Sequence, residues 1–156
     1  MLRNINQQGH NSKYNNTVGT YHVRNKEKFL GNYNPIYKSK LEAKMMFYLD
    51  HNENVIKWNY ESFPIKYIDE SSGNKVRNYY IDFTAVVNTG KNVLQTVWIE
   101  VKSESETHAP GKRASKNPKA INTWLKNQSK WKAAKKLAES RGIKFVVISE
   151  KELENG

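Results

Sequence analysis

Residues 98–102 read Trp98-Ile99-Glu100-Val101-Lys102, a run of strand-forming residues that carries an acid and a base two positions apart. In a strand, residues i and i+2 share a face, so Glu100 and Lys102 lie together on one side and Ile99 and Val101 on the other. The stretch from Tyr80 to Val87 alternates in the same way: Ile81, Phe83, Ala85 and Val87 share one face, Asp82 and Thr84 the opposite one. Both apolar sets have odd numbers. If the two strands form a hairpin with these sets in one core, paired residue numbers sum to an even value. The loop is then odd in length, with Gly90 in left-handed backbone. The same parity sets Asp82 beside Glu100 and Lys102. Two carboxylates on neighbouring strands repel unless a cation lies between them, and a divalent metal is the simplest such cation.

Outward from this hairpin the chain reads as an α/β domain with a mixed sheet, in the order α-β-β-β-β-α-β. A helix is predicted from the cap Ser39, with Leu41, Met45, Met46 and Tyr48 or Leu49 at helical spacing, to His51-Asn52. Strands are predicted over 55–60, 63–68, 76–87 and 93–102, with a Ser71-Ser72-Gly73-Asn74 turn before the third. A polar, basic loop over 103–117 leads into a helix capped by Asn117, with Pro118 at its first position and a stop at Gly142. Ile143 to Ile148, apolar apart from Lys144, is predicted to be a strand buried inside the sheet. Residues 1–36 are rich in Asn, Gln, Gly and Tyr and show no sustained period. They are predicted to be a basic, extended, partly disordered arm ahead of a single domain over 37–156.

The 156 residues carry 26 Lys and Arg against 15 Asp and Glu, a net charge of +11. The excess sits in residues 1–36, with 5 basic against 1 acidic, and in residues 103–142, with 10 against 3. A phosphate-binding surface accounts for these segments, though not for the acids gathered between them. No cysteine is present, and His10, His22, His51 and His108 stand too far apart for a zinc spacing. A metal here would therefore be a hard ion held by oxygen. The sequence lacks an apolar run long enough for a membrane span and an apolar segment near its N-terminus, so it is expected to be soluble and unexported, without a membrane partner.

Glu-x-Lys by itself says little, since Glu42-Ala43-Lys44 has it too, and Ser39-x-x-Glu42 is sufficiently explained as a helix capping box. The conjunction says more: an acid on the first helix, Asp82 on one strand and Glu100-Val101-Lys102 on the next, in that order in a basic chain. In this the chain resembles the PD-(D/E)XK nuclease superfamily, whose core is an α-β-β-β-α-β unit. More narrowly, it is similar to the head completion nucleases of T-even-type tailed phages, themselves similar to the N-terminal nuclease domain of the transposase subunit TnsA. The likeness spans roughly residues 19–150. It rests on stretches such as Tyr37-Lys38-Ser39-Lys40-Leu41-Glu42, Tyr79-Tyr80-Ile81-Asp82-Phe83, residues 98–102 and Asn127-Gln128-Ser129-Lys130-Trp131. Leu41 stands where that family is expected to carry Trp, and Ile81 where the superfamily's name puts proline.

The resemblance implies DNA phosphodiester hydrolysis in a restriction-endonuclease-like α/β fold, a central mixed sheet flanked by helices. Mg²⁺, with Mn²⁺ as a substitute, would be held by Asp82, Glu100 and the backbone carbonyl of Val101, while Glu42 would hold metal-bound water or complete a second site. Lys102 would orient the attacking water or stabilise charge on the phosphorane oxygens. Gln128, on the helix face shared with Ile121, Trp124 and Leu125, is a further candidate, the alternative being a helix glutamine bonded to backbone. Trp124 and Trp131 read as core rather than as base-stacking platforms.

Lys112, Arg113, Lys116 and Lys119, after the catalytic strand, and Arg24, Lys26 and Lys28, in the arm, would grip backbone phosphates without reading sequence. The implied setting is phage head completion in the cytoplasm of the bacterial host, or in the virion. DNA ends, flaps or branches would be the substrate and capsid or portal proteins the assembly partners, with no small-molecule cofactor. The alternative is a non-catalytic DNA-end-binding or head and portal assembly protein that keeps the fold. An RNA-binding domain is disfavoured by the lack of an aromatic RNP signature.

Overall fold

The computed structural model describes residues 17–112 and 116–155. In chain order the elements are β1 (Gly19–Thr20), β2 (Ile36–Tyr37), α1 (Lys40–His51), β3 (Val55–Tyr60), β4 (Pro64–Asp69), β5 (Lys75–Tyr80), β6 (Phe83–Asn88), β7 (Leu94–Val101), α2 (Pro118–Ser140), β8 (Lys144–Ile148) and α3 (Glu150–Asn155). The central sheet has the order β3-β6-β7-β8, antiparallel except for the parallel pair β7 and β8. Beside it, β4 and β5 form a separate hairpin.

The helix ends follow the capping chemistry written in the sequence. The Ser39 hydroxyl accepts the Glu42 N–H at 3.1 Å, and the Asn52 N–H closes the far end on the Tyr48 carbonyl at 2.9 Å. Asn117 accepts the Lys119 N–H at 3.0 Å to start α2, and Gly142, with φ of 68°, supplies the left-handed residue just past its end. On α1 the buried Leu41, Met45, Met46 and Leu49 face the sheet.

The hairpin that decides the fold has the predicted register. Phe83 pairs with Ile99 and Asn88 with Leu94, so every pair has an even sum, and Gly90, at φ of 117°, stands in the odd-length loop 89–93. Two departures have physical causes. The strand expected over 76–87 is two strands, because β5 pairs only with β4 while β6 pairs with β3 and β7; the chain changes sheets at Ile81-Asp82. The Asp82 carbonyl accepts the Glu61 N–H at 2.9 Å at this break. The odd-numbered set is thereby divided: Phe83, Ala85, Ile99 and Val101 pack under α1, whereas Ile81 joins Tyr79, Trp98, Ala134 and Ala138 in a second core on the other face. The other departure is β8, which is not inside the sheet but at its edge, half-buried beside β7.

Residues 17–36, expected as an arm, are extended and packed. Tyr21, Val23 and Phe29 are buried in the core under α1, and β1 pairs with β2 across the boundary drawn at residue 36. Asp50, at the end of α1, anchors the segment by accepting the Tyr21 hydroxyl at 2.6 Å and the N–H groups of Arg24 and Asn25 at 2.8 and 3.0 Å. Among the described residues no helix is long and apolar enough to cross a membrane.

Candidate active site

Asp82 occupies the break between β5 and β6, where it is freed from both ladders and can turn to β7. Its Oδ2 accepts the Val101 N–H at 2.9 Å, and the register that pairs Phe83 with Ile99 carries Asp82 opposite Glu100. Glu100 is only 4% exposed. Its Oε2 accepts the Tyr79 hydroxyl at 2.5 Å, and its Oε1 lies 3.8 Å from the Lys102 Nζ. Burial first, then the Glu100 charge, push the Asp82 carboxyl well above the usual carboxylate range; the Val101 N–H and the Lys102 charge oppose this, and Glu42 adds to it.

Glu42 reaches the same group of charges from the first turn of α1. Its Oε2 accepts the Lys38 N–H at 2.6 Å and the Tyr60 hydroxyl at 3.0 Å, so it folds back as a capping-box glutamate does, one residue beyond the cap. Burial raises its pKa, those two bonds pull it back, and the charge of Glu61 raises it further. Lys38 pairs with Glu61 at 2.6 Å; that bond is the main cause holding its ammonium above the ordinary range, with Glu42 and Asp82 contributing. Burial and the neighbouring carboxylates push the hydroxyls of Tyr60 and Tyr79 far above the tyrosine range, so each stays a donor.

Among the described residues no three His, Cys, Asp or Glu side chains converge tightly enough to cage a metal unaided. Mg²⁺ does not require such a cage, since it commonly takes one or two carboxylates and completes its shell with water and substrate phosphate. The donor set fits a hard cation: the groups are all oxygen, two acids face each other across neighbouring strands, and at Asp82 the protein alone disfavours the charge.

The structure thus brings Glu42, Asp82, Glu100, Val101 and Lys102 together, and it leaves Gln128 out. Gln128 lines a groove with Glu70, Trp131 and Lys132. The residue that α2 sends toward the acids is Lys130, about 200° around the helix from Gln128 at 3.6 residues per turn. Its Nζ lies 5.3 Å from the centroid of the Tyr79 ring, and burial lowers its pKa against the charges of Glu100 and Asp82. Trp124 and Trp131, read from the sequence as core, are half-buried and lie outside both core clusters.

Of the basic residues, Lys28 is engaged structurally, donating to the carbonyls of Asp50 and Asn52 at 2.9 and 2.8 Å where α1 ends. Arg24 lines a groove with Phe47 and His51, toward the opposite end of α1 from Glu42. Lys26, Lys112, Lys116 and Lys119 are exposed, and Arg113 lies outside the described residues. Sequence reasoning missed Tyr60, Tyr79, Lys38 and Lys130 as members of the site. The two tyrosines had a signal, because a tyrosine at a buried strand position needs a partner for its hydroxyl.

Acids on a helix and a hairpin of a mixed sheet, with a lysine two residues past the last acid, define a PD-(D/E)XK restriction-endonuclease-like fold. A family model described as TnsA-like endonuclease N terminal matches residues 52–150, and the chain belongs to that family. It is also 36% identical over 140 residues to the head completion nuclease of Enterobacteria phage T4, an alignment covering 85% of this chain and 90% of the phage protein. The family match begins after α1, so Glu42 and the packed arm lie outside it, whereas the alignment with the phage protein extends over most of the chain.

Proposed function

We propose that the protein is a Mg²⁺-dependent DNA endonuclease that acts without sequence preference on ends, flaps or branches during phage head completion. The observation that carries this reading is the meeting of Asp82 and the buried Glu100 on neighbouring strands with Lys102 beside them: an aspartate whose charge the protein disfavours, facing a second acid, which a hard cation would relieve. When bound, the cation would supply Lewis acidity at the phosphate and a more acidic water. Asp82, Glu100 and the Val101 carbonyl would hold it, with Glu42 orienting water from α1. Tyr79 and the Val101 N–H fix the two carboxylates in place. Lys102 presents an ammonium on the Glu100 side of β7 to the charge that grows on the phosphate oxygens. Exposed Lys112, Lys116 and Lys119 would hold the backbone beyond it. Membership in a TnsA-like endonuclease family and similarity to a protein named head completion nuclease support the reading.

The test is cleavage of labelled blunt duplex, flap and forked DNA with Mg²⁺, Mn²⁺ or EDTA, for the wild type, Asp82→Asn and Lys102→Ala. Metal-dependent cutting lost in both variants, with DNA affinity kept, is expected. DNA binding without cutting under any metal would instead leave a DNA-end-binding or head assembly protein.

A further inference from the structure

The loop after β7 does more than carry basic residues past the acids. Together with the first half of α2 it walls a cavity of about 390 Å³, lined by Pro110, Lys119, Thr123, Trp124 and Asn127 among others. Asn127 is 6% exposed, and its amide has no hydrogen-bond partner among the described residues. The amide is not sealed from water but opens on the cavity, so its donors and acceptor can pair with a polar group that enters. Trp124, half-buried, gives the same cavity an aromatic wall. Lys119 stands at its mouth, while the one carboxylate in the lining, Glu106, accepts the hydroxyl of Ser103 at 2.7 Å within its own loop.

We propose that this cavity receives one unpaired nucleobase of the DNA substrate, stacked on Trp124 and bonded at its edge by the Asn127 amide. The inference rests on the nuclease reading and adds to it the feature of DNA that is recognised. An aromatic face accepts any base, since every base has a π-face, and an amide offers both donor and acceptor to a base edge. That edge is free only when the base is out of the duplex, at an end, a flap or a flipped position. The volume is large enough for a single base.

The cavity also lies where the chemistry needs it. Asn127 is three residues before Lys130, roughly 4.5 Å along the helix axis, and Lys130 feels the charges of Glu100 and Asp82. A nucleotide held here would lie within one helical turn of the lysine that faces the acids. A nuclease with no recognition helix would thereby select unpaired DNA by shape and stacking.

The experiment compares two labelled probes in EDTA, so that neither is cut: a blunt duplex, and the same duplex ending in a short single-stranded tail that contains 2-aminopurine. Wild-type protein is expected to bind the tailed probe on the order of tenfold more tightly, the scale of one base–aromatic stack, and to quench its fluorescence. Trp124→Ala and Asn127→Leu should lose the preference and the quenching, keeping blunt-duplex affinity within about twofold of the wild type by the same reasoning. Trp124→Phe, which keeps a stacking face, should retain most of both.

Equal preference in all proteins, no preference in the wild type, or equal losses on both probes would each overturn the proposal. Mg²⁺-dependent cutting of the blunt duplex, followed in parallel, separates the two readings. Cutting without any tail preference removes the base pocket and leaves the nuclease, whereas tail preference without cutting does the reverse.

Discussion

The hydroxyl of Tyr79, on the hairpin strand β5, donates a 2.5 Å hydrogen bond to Oε2 of Glu100, on the central strand β7. Two pieces of sheet that share no ladder are joined through an acid of the site. The Tyr79 ring in turn lies under the Lys130 ammonium, so hairpin, sheet and α2 meet at one carboxylate. Tyr79→Phe removes the donor and keeps the packing. It is expected to lower kcat by about 10- to 100-fold, the usual effect of losing a group that orients a metal ligand. Thermal unfolding should change little, and raised Mg²⁺ should restore part of the rate. A rate loss that Mg²⁺ leaves untouched, or none at all, would show that the bond does not position Glu100.

Asp82→Asn addresses the same pair of charges through stability. A carboxyl whose folded pKa is raised above its unfolded value binds its proton more tightly in the folded state. Folding stability therefore falls as pH rises from the unfolded value near 3.8 through the raised folded one. At neutral pH and without metal, Asp82→Asn is expected to melt a few degrees above the wild type, since relief of like charges facing across strands is worth up to about 1 kcal/mol. The Asn oxygen can still accept the Val101 N–H. The gap should close as pH falls. Mg²⁺ should raise the melting point of the wild type and leave the variant where it is; differential scanning fluorimetry across pH, with Mg²⁺ or EDTA, checks all of this.

The sheet and the site were legible in different measure. Parity along Ile81–Val87 and Val93–Val101 set the register of β6 and β7, because the side-chain period of a strand is fixed and the odd-numbered positions were mostly apolar. The break at Ile81-Asp82 was not legible. A strand that changes partners keeps its alternation of apolar residues, and only the tertiary pairing of β5 with β4 shows where it leaves the sheet. Helix ends were readable from Ser39, Asn117 and Gly142 because capping is local. Which face of α2 looks toward the acids was not, since the helix carries partly buried residues around much of its surface; nothing in the sequence marks Lys130 among its many lysines, yet its ammonium lies over the rings of Tyr67 and Tyr79. The packing of residues 17–36 was not legible for a related reason. Their polar composition hides three apolar side chains, Tyr21, Val23 and Phe29, that find the core, and an aspartate on α1 that bonds their backbone.

Asp69 is expected to make the hairpin sensitive to acid. It is buried at the end of β4, where Oδ1 accepts the Ser71 hydroxyl and N–H and Oδ2 accepts the Arg77 Nε–H at 2.8 Å. The Ser71 hydroxyl foremost, with Ser72 and Arg77, lowers its pKa to about 2. A folded pKa below the unfolded value means stability that is fully present above about pH 4 and lost as pH falls toward 2. Glu104, lowered to about 2 chiefly by the Ser149 hydroxyl, loses its share over the same range. Urea midpoints measured down this range should fall steeply for the wild type and less steeply for Asp69→Asn, which starts lower. Parallel curves would mean that the carboxylate contributes nothing to acid unfolding.

Gly19 tests whether the arm is packed as described. A Cβ built on it would overlap the ring and hydroxyl of Tyr37, which is 1% exposed and whose hydroxyl has no hydrogen-bond partner among the described residues. Gly19→Ala must then displace either the tyrosine or β1, and overpacking of this kind costs about 1–3 kcal/mol. Gly111, with no described residue within 4 Å of the equivalent position, serves as the control and should tolerate Ala with no measurable change. Tyr37→Phe removes the atom nearest to the new methyl group, so the double variant should recover part of the loss, giving a favourable coupling in a double-mutant cycle. Chemical denaturation of the four proteins reads this directly. A Gly19→Ala protein as stable as the wild type would mean that residues 17–36 do not sit on the core, and Asp50 would then be a buried acid without the bonds that hold its charge.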